Sequence, residues 1–587
     1  MMLQALIAYA EREGLGDPAF ETVGVRWLIS LDDKGRLAGS PIPLAENPDA
    51  KKPRPKSFPR PFTSPNELNQ GTKSHFLCDT LERAVLFLDP KAPEKAEGRR
   101  VQHGYFRSLL EEASVACPAE QSRLQATLEF LRHADGVAEL HRQLSTAKAK
   151  PSDIATFAVE GVHLLESSAL RQFWRDRRRR LGAEAGSHDQ RICIATGDLA
   201  ETVDTTEKIK GVPGGLATGT NLISFDKDSF CSFGLEQAQN AALSVPAELK
   251  IRSALNTLIA KSRAQGLVFN STVHLHWTRE PIKEDPFDLL ASADENAIEA
   301  LLKSVEQGQP PVAFEANAYY TLSLSGNGAR IVVRDWLEST VPEVQRHVAE
   351  WFEDLGVVQQ DGQGTKRDFK FGALLYGMVR ADSDELSSAL PTQLLHGALR
   401  GRAVPLPQAA LAAALRRQQL DQDNKLNPAR LALIKACLLR SPNSTNNNLQ
   451  TEDTPMTECL NLESRDPAYL CGRLFAVFDR LQYLALGGVN AGVVERYYAS
   501  ASTTPALVMG RLFRNAQFHL AKAEGGVAGN ASKDFEAITT ALGNEFPATL
   551  DLEGQGRFAL GYYHQKAEYR RRTTERKEAE AKAEAGK

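Results

Sequence analysis

The sequence predicts an α+β fold: a mixed N-terminal region of small sheets and glycine-rich loops, followed by an all-α helical bundle. Three observations predict it. Apolar runs at 318–325 and 329–335 flank Gly326-Asn327-Gly328, a strong hairpin signal. Short apolar stretches punctuated by glycine fill 191–233, where glycine permits close backbone approach. Beyond about residue 375 the strand pattern stops and apolar residues recur at helical spacing.

The elements follow in chain order. Met1 to Tyr9 has no basic stretch before its apolar run and soon meets Glu11, which predicts a short amphipathic helix rather than a signal peptide. Residues 23–31 predict a strand, with turn chemistry at Asp32-Asp33-Lys34-Gly35. From Pro41 to Pro65 prolines are interleaved with Lys51, Lys52, Arg54, Lys56 and Arg60; proline withholds a backbone donor, so an extended surface loop is expected. Residues 104–181 predict mostly helix, with 154–165 readable as helix or strand. A helix is expected over 247–264, a strand over 272–277 and a helix over 342–355. The polar stretch 441–455 predicts a linker. After it, Leu470, Leu474, Phe478 and Leu481 mark one helix, 507–520 a second, 535–542 a third, and the charged tail from Arg570 a fraying helix. The domain reading is 1–375, mixed; 376–440, a helical segment; 441–455, a linker; and 456–587, a helical bundle.

With 587 residues, 42% hydrophobic and 25% charged, the chain is composed like a folded protein of several domains. A formal charge of −4, from 70 Lys+Arg against 74 Asp+Glu, excludes a generally basic nucleic-acid coat, so any polyanion site must be local. Basic charge is indeed concentrated: residues 51–73 carry six Lys/Arg against Glu67, and 171–180 carry six Arg against Asp176. The seven cysteines are scattered without a C-x-x-C pair, which fits a reducing, cytoplasmic setting. No run of about 18 apolar residues occurs, so no membrane span is expected.

The search for catalytic chemistry is mostly negative. Gly71-Thr72-Lys73-Ser74 lacks the G-K-[ST] order of a phosphate loop, and Gly211 to Gly219 lacks the dinucleotide pattern, with Pro213 withholding an amide. No G-x-S-x-G elbow is present. His274 and His276 lie on one face of a predicted strand; two imidazoles at that spacing bind a metal if acidic partners such as Glu280, Glu284 or Asp285 join them, and otherwise form a partly buried polar face. No cofactor is expected.

Binding signals are stronger. Arg171, Arg175, Arg177, Arg178, Arg179 and Arg180 make a dense cationic block, and a guanidinium pairs bidentately with phosphate oxygens. Phe173 and Trp174 beside it either stack on bases or, the favoured reading, anchor the helix in the core.

Several segments, in order along most of the chain, resemble the large subunit of the type I-C CRISPR Cascade surveillance complex: 76–88 (FLCDTLERAVLFL), 193–198 (CIATGD), 208–225, 232–245, 254–259, 319–336, 466–482 and above all 555–570 (QGRFALGYYHQKAEYR). The chain departs from that family where Asn240 is followed by Ala241-Ala242-Leu243 rather than by a proline-containing pattern, and in its longer, more basic proline-rich loop. The resemblance implies a non-catalytic subunit. It would read the protospacer-adjacent motif on duplex DNA, assist duplex opening and R-loop formation, and dock the helicase-nuclease. Implied partners are CRISPR RNA, the target duplex and its displaced strand, the backbone and RNA-processing subunits, and separately produced C-terminal small subunits.

On that footing Asn69, Gln70, Gly71, Thr72 and Lys73, a short polar loop suited to a narrow groove, are the expected motif-reading residues. Lys51, Lys52, Arg54, the 171–180 arginines, Lys208, Lys210, Asn221 and Gln237 are expected on nucleic-acid backbone. The last third resembles the family's small subunit. There Arg465, Arg473, Arg480, Arg496, Arg511 and Arg514 are expected along the displaced strand, and Met456 is the natural internal start, since Met378 lies too early and Met509 cuts a helix. The alternatives are a metal-dependent nuclease built on His274 and His276, and a scaffold without DNA contact.

Overall fold

The computed structural model describes the chain except residues 18, 46–54, 64–67, 69–70, 185–189, 284, 307–316, 381–385, 388, 422–425, 442–455, 488, 490, 523–525, 544–545 and 586–587. Lys51, Lys52, Arg54, Asn69, Gln70 and nearly all of the expected linker therefore lie outside the described residues. The fold is α+β, with small sheets in the first two thirds and a helical C-terminal region. Two compact units are present: Met1–Glu207 with Ile223–Leu255, and Lys208–Leu222 with Asn256–Lys587.

In the first unit the expected strand 23–31 is two strands, Phe20–Val25 and Trp27–Leu31, which enter different sheets. The break falls at Arg26, whose N–H donates to the Ile154 carbonyl. Trp27–Leu31 runs parallel to Ile154–Val159, so 154–159 is strand and not helix, and Cys78–Thr80 adds antiparallel to its far side. Phe20–Val25 instead pairs antiparallel with Lys56–Pro61. The proline-rich segment is thus not wholly an extended loop. Pro59 and Pro61 are accommodated because a two-stranded ribbon leaves each strand one edge that needs no donor. Helices Ala96–Ala116, Gln121–Arg132, Ala134–Thr146 and Ser168–Glu184 complete the unit around a core that includes Trp27, Phe76, Phe106, Phe130, Phe157 and Trp174.

The second unit holds a four-stranded antiparallel sheet in sequence order: Val268–Phe269, Thr272–Thr278, Ala318–Asn327 and Arg330–Thr340. The hairpin closes at Gly328-Ala329, where Gly328 takes φ of 60°, a conformation glycine adopts without strain. Helix Val341–Leu355 starts in a Thr340/Glu343 capping box with Pro342 in its first turn, as its amphipathic pattern and N-terminal chemistry require. After Thr365–Lys366 every described element is helical.

In the bundle, Pro467–Leu486 and the long helix Leu552–Ala585 are apolar on two sides because each borders two cores. Tyr469, Leu560 and Tyr563 join the core of the sheet-bearing part; Leu470, Phe475, Phe558 and Tyr562 join that of the bundle. The two helices touch backbone to backbone at reciprocal glycines: a Cβ on Gly472 would lie 2.0 Å from the Phe558 carbonyl oxygen, and one on Gly561 2.2 Å from that of Tyr469.

Candidate nucleic-acid interface

The first unit brings together basic segments that are far apart in sequence. The arginine helix Ser168–Glu184 is fixed by its aromatics: Trp174 stacks on Phe76 with centroids 5.3 Å apart, and Phe173 meets the same ring edge-on at 5.6 Å. Both are core residues, as favoured from sequence. Phe76 ends the loop that begins at Gly71, so the arginine helix and that loop share an anchor. Arg178 lies over the Phe62 ring, and the next residue, Thr63, donates its hydroxyl to the Ser74 carbonyl. The ribbon, the loop and the helix therefore adjoin.

The loop itself changes character along its length. Gly71, with φ of 77°, and Thr72 are exposed, Lys73 is half-buried, and Ser74 to Cys78 are buried. Asp79 clamps the buried end: it accepts from the His75 and Thr80 amides and pairs with Arg83 at 3.3 Å. Burial, reinforced by the Arg60 charge, pushes His75 down to about 4, so it is neutral at pH 7. Arg60 itself bonds across the ribbon to Glu21 at 2.8 Å.

The six arginines are not equivalent. Arg171 donates to the Leu165 carbonyl at 2.8 Å. Arg175 is bound to Asp17 at 2.6 Å and lies over Phe20; Arg177 is bound to Glu112 at 2.9 Å and lies over Trp174. Arg179 and Arg180 are exposed, with Arg179 paired to Asp176 one turn back. Exposed pairs are weak and exchange readily for a phosphate, whereas Arg175 and Arg177 also hold the helix in place. Asp17, Glu112, Phe20 and Phe62 were not singled out from sequence, and no local pattern marks them. Gln237, also in this unit, is exposed at φ of 42°, and its carbonyl accepts from the Asn240 side-chain amide.

In the second unit Lys208 and Lys210 are exposed on either side of buried Ile209, which bridges to Thr220. The glycines between Ile209 and Thr220 serve packing. Gly214 and Gly215 lie on the hairpin tip, where a Cβ on Gly326 would sit 2.2 Å from the Gly215 nitrogen. Asn221 exchanges backbone bonds with Ala329 and Ile331.

Of the bundle arginines, Arg465, Arg496, Arg511 and Arg514 are exposed. Arg473 departs from the expectation of a strand-facing surface: it is 4% exposed, with Nε on Gln565 and Nη1 on the Asn461 carbonyl. Arg480 is half-buried between Tyr483 and Tyr569. Met456 packs on the core. Two residues on, the Glu458 carboxylate binds Arg367 at 2.7 Å and its carbonyl accepts from Val358.

His274 and His276 are each 1% exposed. His274 bonds to the Ser323 hydroxyl, and His276 to Asp285 while stacking on Phe287. Among the described residues no three His, Cys, Asp or Glu side chains are grouped to hold a metal ion, and no helix is long and apolar enough to cross a membrane.

No curated protein matches the chain. A family described as CRISPR-associated protein (Cas_Csd1) matches residues 5–570, spanning both units and the helical C-terminal region. The chain belongs to this CRISPR-associated Cas_Csd1 family and is a Cascade-type CRISPR component.

Proposed function

We propose that the chain is the non-catalytic large subunit of a type I-C CRISPR RNA-guided surveillance complex. In this reading it recognises the protospacer-adjacent motif on duplex DNA, supports duplex opening and the R-loop, and docks the helicase-nuclease. The observation that carries the proposal is the Phe76–Trp174 stack, which ties the segment leading from exposed Gly71 and Thr72 to the helix bearing Arg178, Arg179 and Arg180. A short polar loop flanked by guanidinium groups supplies what such a subunit needs: a small reading element and a phosphate track that fixes its register. Sequence is then read by RNA–DNA pairing, a nearly balanced exchange that modest backbone contacts tip.

The same reading makes the region from Met456 onward a small subunit that is also produced separately. Co-expression of the intact gene with a CRISPR array tests both parts. The expected result is co-purification of the chain with CRISPR RNA and with a short fragment beginning at Met456, the fragment vanishing in Met456→Leu. A chain that purifies without RNA under these conditions contradicts the proposal.

A further inference from the structure

Three helices of the bundle meet at a small cavity of about 170 Å³ lined by Arg480, Asn530, Tyr569, Arg572, Thr573 and Arg576. Arg480 comes from Pro467–Leu486, Asn530 from Gly526–Leu542, and the rest from Leu552–Ala585. Three arginines thus line a volume suited to one tetrahedral oxyanion, and no carboxylate is among its lining residues.

The three arginines are unequally paired. Arg572 is satisfied by Asp534 at 2.7 Å and Glu568 at 2.7 Å. Among the described residues Arg576 pairs with Glu580 alone, at 3.4 Å, and both side chains are exposed. Among the described residues Arg480 has no ion pair, and its Nε is closed off from solvent without an acceptor. Its guanidinium instead shares the Tyr569 ring with Arg572, the two lying 5.8 Å and 5.9 Å from the ring centre. A ring face attracts one cation, but two like charges on one ring repel, and an unmet guanidinium donor costs free energy. An anion in the cavity relieves both.

We infer that this cavity is a binding pocket for a single phosphate group, with the Arg480 fork as its principal donor and Arg576 at its mouth. Arginine forks match phosphate oxygens in geometry as well as charge. The candidate source is the backbone of a single-stranded nucleic acid. That assignment rests on the function proposed above; the pocket itself does not. Free phosphate offers the same chemistry.

The test uses the full-length chain, a labelled oligothymidylate followed by fluorescence anisotropy across a salt series, and inorganic phosphate titrated at constant ionic strength while the melting temperature is read. The variants are Arg480→Gln and Arg576→Gln, the latter lying outside the Asp534 network so that the fold is not at risk. The expected result for each is roughly tenfold weaker oligonucleotide binding. The log–log salt slope should flatten by about 0.7, and the saturable phosphate-induced rise in melting temperature should be lost. A phosphate effect lost in the variants while oligonucleotide binding stays unchanged overturns the strand assignment and leaves a free-phosphate pocket. If the wild-type chain binds no oligonucleotide yet shows that phosphate effect, the nucleic-acid reading fails while the pocket stands. Unchanged behaviour of Arg576→Gln in both measurements overturns the pocket.

Discussion

The Phe76 and Trp174 rings lie 5.3 Å apart and 19° from parallel, joining the loop that opens at Gly71 to the helix that carries the arginine block. Both rings are at most 2% exposed, so this contact is at once part of the core and the mechanical link between two halves of a surface. Phe76→Ala should destabilise the first unit by roughly 3–5 kcal/mol, the usual cost of emptying a buried aromatic site. Urea unfolding of the full chain checks this; a loss below about 1 kcal/mol would mean that the two segments are held by other contacts.

Arg179→Gln with Arg180→Gln should act in the opposite way. Both side chains are exposed, so stability should change by no more than about 0.5 kcal/mol. Duplex binding should lose about two phosphate contacts, flattening the log–log salt slope by roughly 1.8 at about 0.9 per contact. An unchanged slope would assign these two arginines to solvent.

Gly326→Ala tests the packing of the glycine-rich loop on the hairpin tip. A methyl group there would lie 2.2 Å from the Gly215 nitrogen, with backbone rather than a flexible side chain in the way. Overpacking of this kind costs roughly 1–3 kcal/mol. The expected outcome is a lower denaturation midpoint, with Lys208 and Lys210 still exposed to acylation. A wild-type midpoint would show that the two loops do not abut.

Acid should weaken the protein through its buried histidines. Burial, and then the charges of Lys435 and Arg473, push His564 down to about 3, and burial pushes His274 down to about 4. A histidine whose folded pKa is depressed binds its proton more readily when unfolded. Its stabilising contribution is complete above the ordinary value of 6.5 and is lost as pH falls from there toward the folded value. Between pH 7.5 and pH 5 each such histidine should cost roughly 2 kcal/mol. His564→Gln should remove about that much of the acid sensitivity in paired urea titrations. An identical pH dependence in the variant would mean that His564 is protonated in the folded chain.

How far the sequence could be read differs between elements for physical reasons. The helices at 247–264, 342–355, 470–481 and 507–520 were legible because each carries its own apolar period and, at Thr340 and Pro342, its own start signal. The strand Lys56–Pro61 was not, because its prolines argue against a strand and only its distant partner, Phe20–Val25, makes the pairing possible. The same limit applies to the arginine block. Its charge was visible, but the partners that hold Arg175 and Arg177, Asp17 and Glu112, lie 158 and 65 residues away. Arg473 looked like its neighbours in the helical pattern, and its burial and its bond to Gln565 from the long C-terminal helix show that it faces inward.

Target selection decides whether the loop at Gly71–Lys73 reads a short DNA motif inside an RNA-guided complex. The complex assembled from this chain, its partner subunits and one CRISPR RNA is offered a pool of duplexes sharing one guide-matched target but randomised beside it, and the bound fraction is sequenced. The wild-type complex should strongly enrich a short flanking motif. That enrichment should collapse when Thr72→Ala and Lys73→Ala are combined, while binding to the same target presented as a single strand is retained. Equal enrichment by wild type and variant, or none by the wild type, would show that this loop does not read a motif.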